Sequence, residues 1–370
     1  MNVHKTIIGF VIALALVLVS GIAAQAVVYT MSNEVSGNQV IAFDVGPFGN
    51  LETIGEFSTQ GVGTGGSLGN QSALALDGAD RWLFVPNAGD GTITSFRILE
   101  NGLEFVNRIP SGGFSPISIT VFGTLVYVLN EGDPNDPVNS PDNISGFRFN
   151  VGGVLEAIPD STRLLSQDLT DPAQIGFNKS GTVLLVTEKG TNTLTTYVME
   201  EDGIPDATAV TRPSAVPVPF GFSFGDRDYV FITEANPGGR GVIAVYRVDR
   251  GTGAVSDLVD LLEAGTATCW AVLSNDQTVG YATNTGSDSL TLFKINFNGT
   301  IEPFFQYNPD REIFTGSGPL DLVLTQNNRF LFTLNSGDDE IRAFYVLPRG
   351  NIIPFWTVLV PDGANGLAAR

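Results

Sequence analysis

Histidine and cysteine are almost absent from this sequence, whose 370 residues contain one of each. The single cysteine, Cys269, excludes an internal disulfide and a paired-cysteine zinc or redox site. The single histidine, His4, stands near the amino terminus. The rest of the chain therefore cannot form a Ser-His-Asp catalytic triad.

Positive charge is also scarce. Lysine and arginine number 19 against 39 aspartates and glutamates, which gives a formal net charge of −20. Binding to nucleic acid needs clustered Lys and Arg, so we predict no nucleic-acid partner. Only 16% of the residues are charged while 43% are hydrophobic. Because disorder requires low hydrophobicity, this composition excludes wholesale disorder.

No long stretch carries a helical 3.6-residue apolar period, whereas 43 glycines and 20 prolines occur at short intervals. Closely spaced turn residues between apolar runs favour strands over helices. The composition therefore predicts an all-β protein. The length alone suggests two domains, although barrels and propellers of this size fold as one.

Residues 1–26 have the pattern of a signal peptide. Lys5 precedes an apolar run at 7–19, and the segment ends in Ala24-Gln25-Ala26, an A-x-A cleavage pattern. The alternative is an uncleaved membrane anchor, because no charged residue follows Lys5 before Glu34. A spanning helix needs about 20 apolar residues, so we favour cleavage. We predict a secreted or extracytoplasmic protein without a membrane span after cleavage.

Beyond the leader, one pattern recurs. An apolar run ends in a small polar group, and an alternating β-rich strand and a Gly-containing turn follow it. These run ends are VVYTMSN (27–33), WLFVPNAG (82–89), VYVLNEG (126–132), LLVTEKG (184–190), VFITEAN (230–236), GYATNTG (280–286) and LFTLNSG (331–337). Each run except the first is preceded by a further short strand. A repeat of about 49 residues that contains four strands is typical of a β-propeller blade.

The two ends of the chain complement each other. The first unit lacks its leading strand, and the final residues, 365–370, form a spare one. The leading strands are predicted to start at Gln71, Pro116, Pro172, Pro219, Thr268, Pro319 and Asn365. We therefore predict a seven-bladed propeller over residues 27–370, closed by the C-terminal strand joining the N-terminal blade. Closure removes edge strands that promote association, so we expect one domain and a monomer.

This topology predicts where a site would lie. The second strand of each repeat returns to the top face, so its polar end borders the mouth of the central channel. Two neighbouring repeats carry Glu there, Glu188 and Glu234, which could act as base and acid. In the alternative interpretation they only bond nearby backbone amides or pair with Lys189 and Arg240.

The other candidates surround these carboxylates. Arg212, Arg240 or Lys189 could hold a substrate carboxylate or a developing oxyanion, or could equally be solvated charges. Further substrate-binding candidates at the mouth are Gln174, Asp321, Asn87 and Asn130. We assign Glu188, Glu234, Arg240 and Arg212 as catalytic and the remaining five residues as substrate-binding.

Two other features have weaker signals. The insertion at 131–145 is rich in Asp and Asn and could bind calcium, but it lacks EF-hand spacing, so a solvated loop is favoured and no metal site is predicted. Four Asn-x-Ser/Thr sequons could carry glycans in a glycosylating secretory route. They lie at Asn70, Asn143, Asn178 and Asn298.

The repeats resemble the lactonase-type seven-bladed propeller family, which includes a bacterial 6-phosphogluconolactonase group and fungal carboxymuconate cyclases. The resemblance rests on strand pairs such as WLFVPNAGDGTITSFRI (82–98) and LLVTEKGTNTLTTYV (184–198), the proline-led strand starts and the closing PDGANGLAAR (361–370). It implies chemistry on lactones or related carboxylates in the top-face cleft, without an obligatory cofactor.

The resemblance also implies a departure. Characterised members generally use Glu, Arg and His in this cleft, with a His two residues after the proline of an inner strand. Here Gln174 holds that position. Gln can bind a carbonyl but cannot transfer a proton near neutral pH. Glu188 or Glu234 would then carry proton transfer in a lactone hydrolase, with a cyclase-type isomerase as a variant. The alternative is a non-catalytic secreted propeller that binds a protein or glycan through its rim.

Overall fold

The computed structural model describes residues 26–304 and 313–370. These residues form seven antiparallel sheets, the blades, arranged in a ring. The strands are numbered in chain order. The innermost strands are β4 (Ala75–Leu76), β8 (Pro116–Phe122), β13 (Pro172–Phe177), β17 (Pro219–Phe224), β21 (Thr268–Leu273), β26 (Pro319–Leu324) and β30 (Asn365–Ala369). The second strands are β1 (Val27–Met31), β5 (Trp82–Asn87), β9 (Leu125–Asn130), β14 (Val183–Glu188), β18 (Tyr229–Glu234), β22 (Val279–Asn284) and β27 (Phe330–Asn335).

The outer half of each blade completes the sheets. The third strands are β2 (Gln39–Val45), β6 (Thr92–Leu99), β10 (Asn143–Phe149), β15 (Thr193–Val198), β19 (Val242–Arg247), β23 (Ser289–Ile295) and β28 (Glu340–Val346). The outer strands are β3 (Leu51–Ser58), β7 (Gly102–Pro110), β11 (Leu155–Ala157), β12 (Arg163–Leu164), β16 (Val210–Pro213), β20 (Asp260–Glu263), β24 (Ile301–Pro303), β25 (Ile313–Phe314) and β29 (Ile352–Leu359). Two 3₁₀ turns occupy Asp226–Asp228 and Thr285–Ser287.

Burial follows from the packing of one blade on the next. The second strands lie between two blades, and β5, β14, β22 and β27 are buried at every residue. Both faces of such a strand must be apolar or internally hydrogen-bonded, which explains their nearly continuous apolar runs. The outer strands are more exposed, and β16 and β20 alternate between half-buried and exposed side chains. The predicted all-β, seven-bladed fold is confirmed.

The ring closes through the chain ends, as predicted. In the first blade β30 pairs with β1, with Tyr29 opposite Ala368, and the Arg370 N–H donates to the Val27 carbonyl over 3.1 Å. Leu367 is 5% exposed and packs in a cluster with Phe332 and Leu334 of the last blade. The final strand therefore joins the first blade and contacts the last one.

The predicted leader falls almost wholly on residues outside the described ranges. No helix within residues 26–304 and 313–370 is long and apolar enough to cross a membrane. The Asn70, Asn143 and Asn178 side chains of the sequons are buried, whereas Asn298 lies exposed in the turn between β23 and β24.

We predict that Leu367→Ala lowers the free energy of unfolding by about 2–5 kcal/mol, because it empties a buried site at the ring closure. Leu359→Ala is the matched control. Leu359 is 77% exposed, and its truncation should change stability by less than about 0.5 kcal/mol. Urea unfolding followed by tryptophan fluorescence measures both. Equal effects of the two substitutions would contradict the role of β30 as the closing strand.

Candidate functional site at the channel mouth

The top face is the face on which innermost strands begin and second strands end. In blades three to seven the residue before the innermost strand has a left-handed backbone. These residues are Ser115, Asp171, Val218, Ala267 and Gly318, with φ between +44° and +66°. The carbonyl of each accepts a hydrogen bond from the residue that follows the second strand, respectively Glu131, Lys189, Ala235, Thr285 and Ser336. These five residues therefore occupy equivalent positions around the mouth.

Glu188 lies one residue below this ring and is fully buried. Its Oε1 accepts hydrogen bonds from the Ser166 N–H (3.1 Å) and the Thr195 hydroxyl (2.6 Å). Its Oε2 accepts from the Thr191 hydroxyl (2.9 Å) and from the Ser166 hydroxyl. All donors belong to the same blade or to the loop leading into it. The carboxylate thus ties β14 and β15 to the preceding loop.

Glu234 occupies the corresponding site in the next blade. Its carboxylate accepts from the Tyr246 hydroxyl (2.7 Å) and from the backbone N–H groups of Val216 (2.6 Å) and Ala215 (3.3 Å). Burial raises the pKa of this carboxyl, and these hydrogen bonds oppose the rise. The structure does not bring Glu188 and Glu234 together, since each binds groups around its own blade.

The arginine candidates lie away from the innermost strands. Arg212 is in β16, a strand at the outer edge of its blade, where its guanidinium contacts Asp257 over 3.3 Å and lies above the Tyr246 ring. Arg240 belongs to the turn after β18, and its carbonyl accepts from the Asn236 side chain over 2.9 Å. Of the two arginines, Arg212 is therefore linked to the buried Glu234 carboxylate through Tyr246.

The asparagine candidates are engaged within the blades. Asn87 donates to Thr92 and Thr94 over 3.1 and 3.0 Å. Asn130 donates to the side chain of Asn143 over 3.0 Å. Both are fully buried at the ends of their strands.

A segment of the chain itself crosses the channel. Residues 69–72, which we call the plug, precede the innermost strand of the second blade and reach the opposite side of the ring. The Gln71 N–H donates to the Ala173 carbonyl over 3.1 Å, and the Trp270 indole donates to the Asn70 carbonyl over 2.7 Å. Gly221 lies so close to the Gln71 amide that a side chain there would collide with it.

Two glutamine side chains act as extra peptide groups inside the channel. Gln71 donates to the Ala271 carbonyl over 3.1 Å and accepts from the Ala271 N–H over 3.4 Å. Gln174 bonds Phe222 in the same way, over 3.1 and 2.6 Å, and also donates to the Ser72 hydroxyl. Both amide atoms of the predicted substrate ligand Gln174 are thus used within the protein.

Lys189 fastens the plug to the fourth blade. Its ammonium contacts the carbonyls of Gly69 (2.8 Å) and Pro172 (3.0 Å) and the carboxylate of Asp171 (2.9 Å). These contacts use its three N–H groups. The ammonium also lies 5.1 Å from the centre of the Phe220 ring. A positive charge is therefore fixed at the mouth.

Glu131 is a mouth residue that the sequence interpretation assigned only to a loop. It holds the same position in the third blade as Lys189 in the fourth. Among the described residues, none donates a hydrogen bond to its half-buried carboxylate. Burial raises the pKa of this carboxyl, the Lys189 charge lowers it, and Asp171 and Asp142 raise it further. The sequence already indicated this position, because aligning the two repeats places Asn130-Glu131-Gly132 on Glu188-Lys189-Gly190 and therefore Glu131 on Lys189.

Asp321 is a buried carboxyl in the channel wall. Its Oδ1 accepts from its neighbour Leu322 N–H (2.7 Å), and its Oδ2 accepts from the Leu367 N–H (2.9 Å) of the closing strand. Burial raises the pKa of Asp321 to about 7, although both hydrogen bonds lower it. The group therefore connects blade seven to the ring closure and titrates near neutral pH.

The acidic insertion is held by its own hydrogen bonds. The Asp142 carboxylate accepts from the Gly132 and Thr170 N–H groups, and Asp133 accepts from the Asn135 N–H. Within the described ranges, no group of three or more His, Cys, Asp or Glu side chains is placed to hold a metal ion.

These features define a closed seven-bladed β-propeller with a plugged channel and with the Glu131 carboxylate and the Lys189 ammonium at its mouth. No family model matches the chain, and no curated protein matches it in sequence. Solved structures do match over nearly the whole length. A proposed 6-phosphogluconolactonase of Bacteroides uniformis has a TM-score of 0.74 at 16% identity, covering 94% of this chain and 99% of the other.

Two further structures agree. A proposed 6-phosphogluconolactonase of Bacteroides fragilis has a TM-score of 0.73 at 16% identity, covering 95% and 99% of the two chains. The periplasmic gluconolactonase PpgL of Pseudomonas aeruginosa has a TM-score of 0.69 at 18% identity, covering 93% and 98%. The chain therefore has the fold of the lactonase-type propellers. One fold supports many activities, so the reaction must be argued from the site.

We predict that Glu188→Gln lowers the free energy of unfolding by about 1–3 kcal/mol, because the neutral amide has one acceptor oxygen fewer and loses the charge-assisted hydrogen bonds of the carboxylate. Glu201→Gln is the control, since Glu201 is exposed in the turn after β15. Urea unfolding compares the two variants with the wild type. An unchanged midpoint for Glu188→Gln would show that its carboxylate does not hold the loop.

Asp321 leads to a pH-dependent prediction. A carboxyl whose pKa is higher in the folded state stabilises the fold below its unfolded pKa and loses that contribution as pH rises to the folded value. Stability should therefore fall between about pH 4 and pH 7. Asp321→Asn should flatten this part of the profile, so its stability relative to the wild type rises with pH.

Thermal unfolding from pH 4 to pH 8 tests this difference. Asp362→Asn, at an exposed loop position, serves as the control and should keep the wild-type profile. Parallel profiles for the wild type and Asp321→Asn would contradict the assignment.

Proposed function

We propose that the protein is a lactone-processing enzyme, most simply a lactone hydrolase, with its reacting groups at the top mouth. The observation that carries the proposal is the pair formed by Glu131 and Lys189 at equivalent positions of neighbouring blades. One supplies a carboxylate without an internal hydrogen-bond donor among the described residues, and the other supplies a fixed positive charge. The shared fold with a gluconolactonase supports lactones as the substrate class.

The chemistry needs a base and a site of positive potential. The Glu131 carboxylate takes a proton from water while the water oxygen attacks the lactone carbonyl carbon. The oxyanion that forms is stabilised by the nearby Lys189 charge. The ring C–O bond then breaks, and the proton on Glu131 passes to the departing alkoxide. Lactone and water thus give one hydroxy acid, and the carboxylate is restored.

This assignment differs from the pair chosen on sequence. The carboxylates of Glu188 and Glu234 each accept hydrogen bonds at both oxygens from other groups of the protein. A base that is fully buried and saturated cannot reach water without local rearrangement. Glu131 is half-buried, and its raised pKa suits a group that accepts a proton during turnover.

The test is hydrolysis of a lactone panel, including D-glucono-1,5-lactone and simple γ-lactones, followed in a pH-stat with the spontaneous rate subtracted. Glu131→Gln should lower kcat about 10²- to 10⁴-fold, as expected for loss of a general base. The control is Glu156→Gln, an exposed carboxylate in β11 of the same blade, which should leave turnover unchanged. In the wild type kcat/KM should rise with pH as Glu131 ionises.

In the cyclase-type reaction a carboxylate oxygen of an unsaturated dicarboxylate adds to one carbon of its C=C bond, and protonated Glu131 would donate its proton to the other carbon before taking one back from solvent. Product analysis separates the two reactions, since only hydrolysis consumes water. Full activity of Glu131→Gln would overturn the assignment of this residue.

A second candidate is a non-catalytic binding propeller. It is favoured by the plug, which crosses the mouth, and by Gln174, whose amide atoms are both bound to the protein itself. Wild-type protein that hydrolyses no lactone of the panel would favour this function. Under either function we propose that residues 1–26 direct export and that the mature chain acts outside the cytoplasm as a monomer.

A further inference from the structure

The channel has a second end that the proposed reaction does not use. A cavity of about 400 Å³ lies among the lower halves of the innermost strands. Lys179 and Asn275, both exposed in turns on the bottom face, form part of its rim. Ser72 and Gln174 line its inner end, where Gln174 also bonds Ser72 and Phe222. The cavity is therefore a pocket that opens on the bottom face and ends below the plug.

Its walls are built largely from backbone. The innermost strands stand at the end of their sheets, so one edge of each has no neighbouring strand. Residues 174–177 and 222–224 line the cavity as unbroken runs. Because side chains alternate between the two faces of a strand, such runs indicate that the strand edges face the cavity. Part of these edges is satisfied within the protein, because the Ile175 and Phe177 N–H groups donate to the Ser118 and Thr120 hydroxyls and Phe222 is bound by Gln174. Carbonyl groups of these edges, such as those of Ile175 and Phe177, remain as acceptors.

The side chains narrow the ligand class. Lys179 is the one charged residue among the described residues that line the cavity, and it is held 2.7 Å from Asp226. The lining adds the hydroxyls of Ser72, Thr120 and Ser223, each of which makes a hydrogen bond within the protein and retains capacity for another. None of the described residues that line the cavity is a carboxylate, so a cation or metal ion would find no anionic ligand among them. The Phe224 ring gives an apolar surface beside these polar groups.

We propose that this pocket binds a neutral polyhydroxylated molecule of monosaccharide size. A sugar hydroxyl both donates and accepts, which matches carbonyl and hydroxyl partners, and the C–H face of the ring matches the apolar wall. The volume lies within the usual range for small-ligand sites. The described residues that line the pocket include neither Glu131 nor Lys189, so it is a binding site separate from the top mouth.

The test is titration of the folded protein with D-glucose by calorimetry. We expect saturable binding at millimolar concentrations in the wild type and in Glu131→Gln. Ser72→Phe and Ser223→Phe place a ring in the pocket from two sides and should weaken binding at least about tenfold. Ser336→Phe, the same substitution at an exposed position on the top face, should bind as the wild type does.

A second measurement uses the wild-type protein alone and so does not require any variant to fold. Glucose should slow hydrogen–deuterium exchange in the wild-type segments 174–177 and 222–224 and leave the mouth residues at 188–190 unchanged. Absence of glucose binding, or binding that persists in both folded Phe variants, would overturn the proposal. Lactone turnover in Ser223→Phe should remain, so failure of this site and failure of the proposed reaction are distinguishable.

Discussion

The pairing of β30 with β1 is the contact on which the rest of the structure depends. Seven blades form a ring only if the last residues of the chain complete the first blade, and the Arg370–Val27 and Ala368–Tyr29 pairings do this. Without that strand, β1 would be an open edge and the last blade would lose a packing surface. Asp321 shows how closely this contact is linked to the channel, since its carboxyl accepts from the Leu367 N–H of the closing strand.

A closed ring creates a second problem at its axis. Every innermost strand has an unpaired edge facing the channel, and unpaired peptide groups buried away from water are costly. In the upper channel the chain satisfies these groups with its own amides, through Gln71 and Gln174, and with the Lys189 ammonium. Farther down, the Ile175 and Phe177 N–H groups are bound by the Ser118 and Thr120 hydroxyls, and the strand edges line a cavity. The plug thus divides one channel into two ends with different chemistry.

Repetition made the fold predictable. Seven copies of one strand pattern, with a missing strand at one end and a spare one at the other, determine blade number and closure without any tertiary information. The same pattern predicted where the second strands end, and Glu131, Lys189 and Thr285 follow these strands at equivalent positions. It could not predict side-chain direction. Glu188 and Lys189 are adjacent in sequence, yet the first points into its blade and the second reaches the plug.

The sequence by itself determined an acidic, all-β ring of seven blades and excluded a histidine-dependent triad, because periodicity and composition are local properties of the chain. Only the tertiary structure decided which polar groups are saturated and which are available. Gln174 and Gln71 resemble ligand-binding amides in sequence, but their partners, Phe222 and Ala271, lie in other blades. Hydrogen-bond satisfaction depends on residues brought together from distant parts of the chain, and no local pattern contains that information.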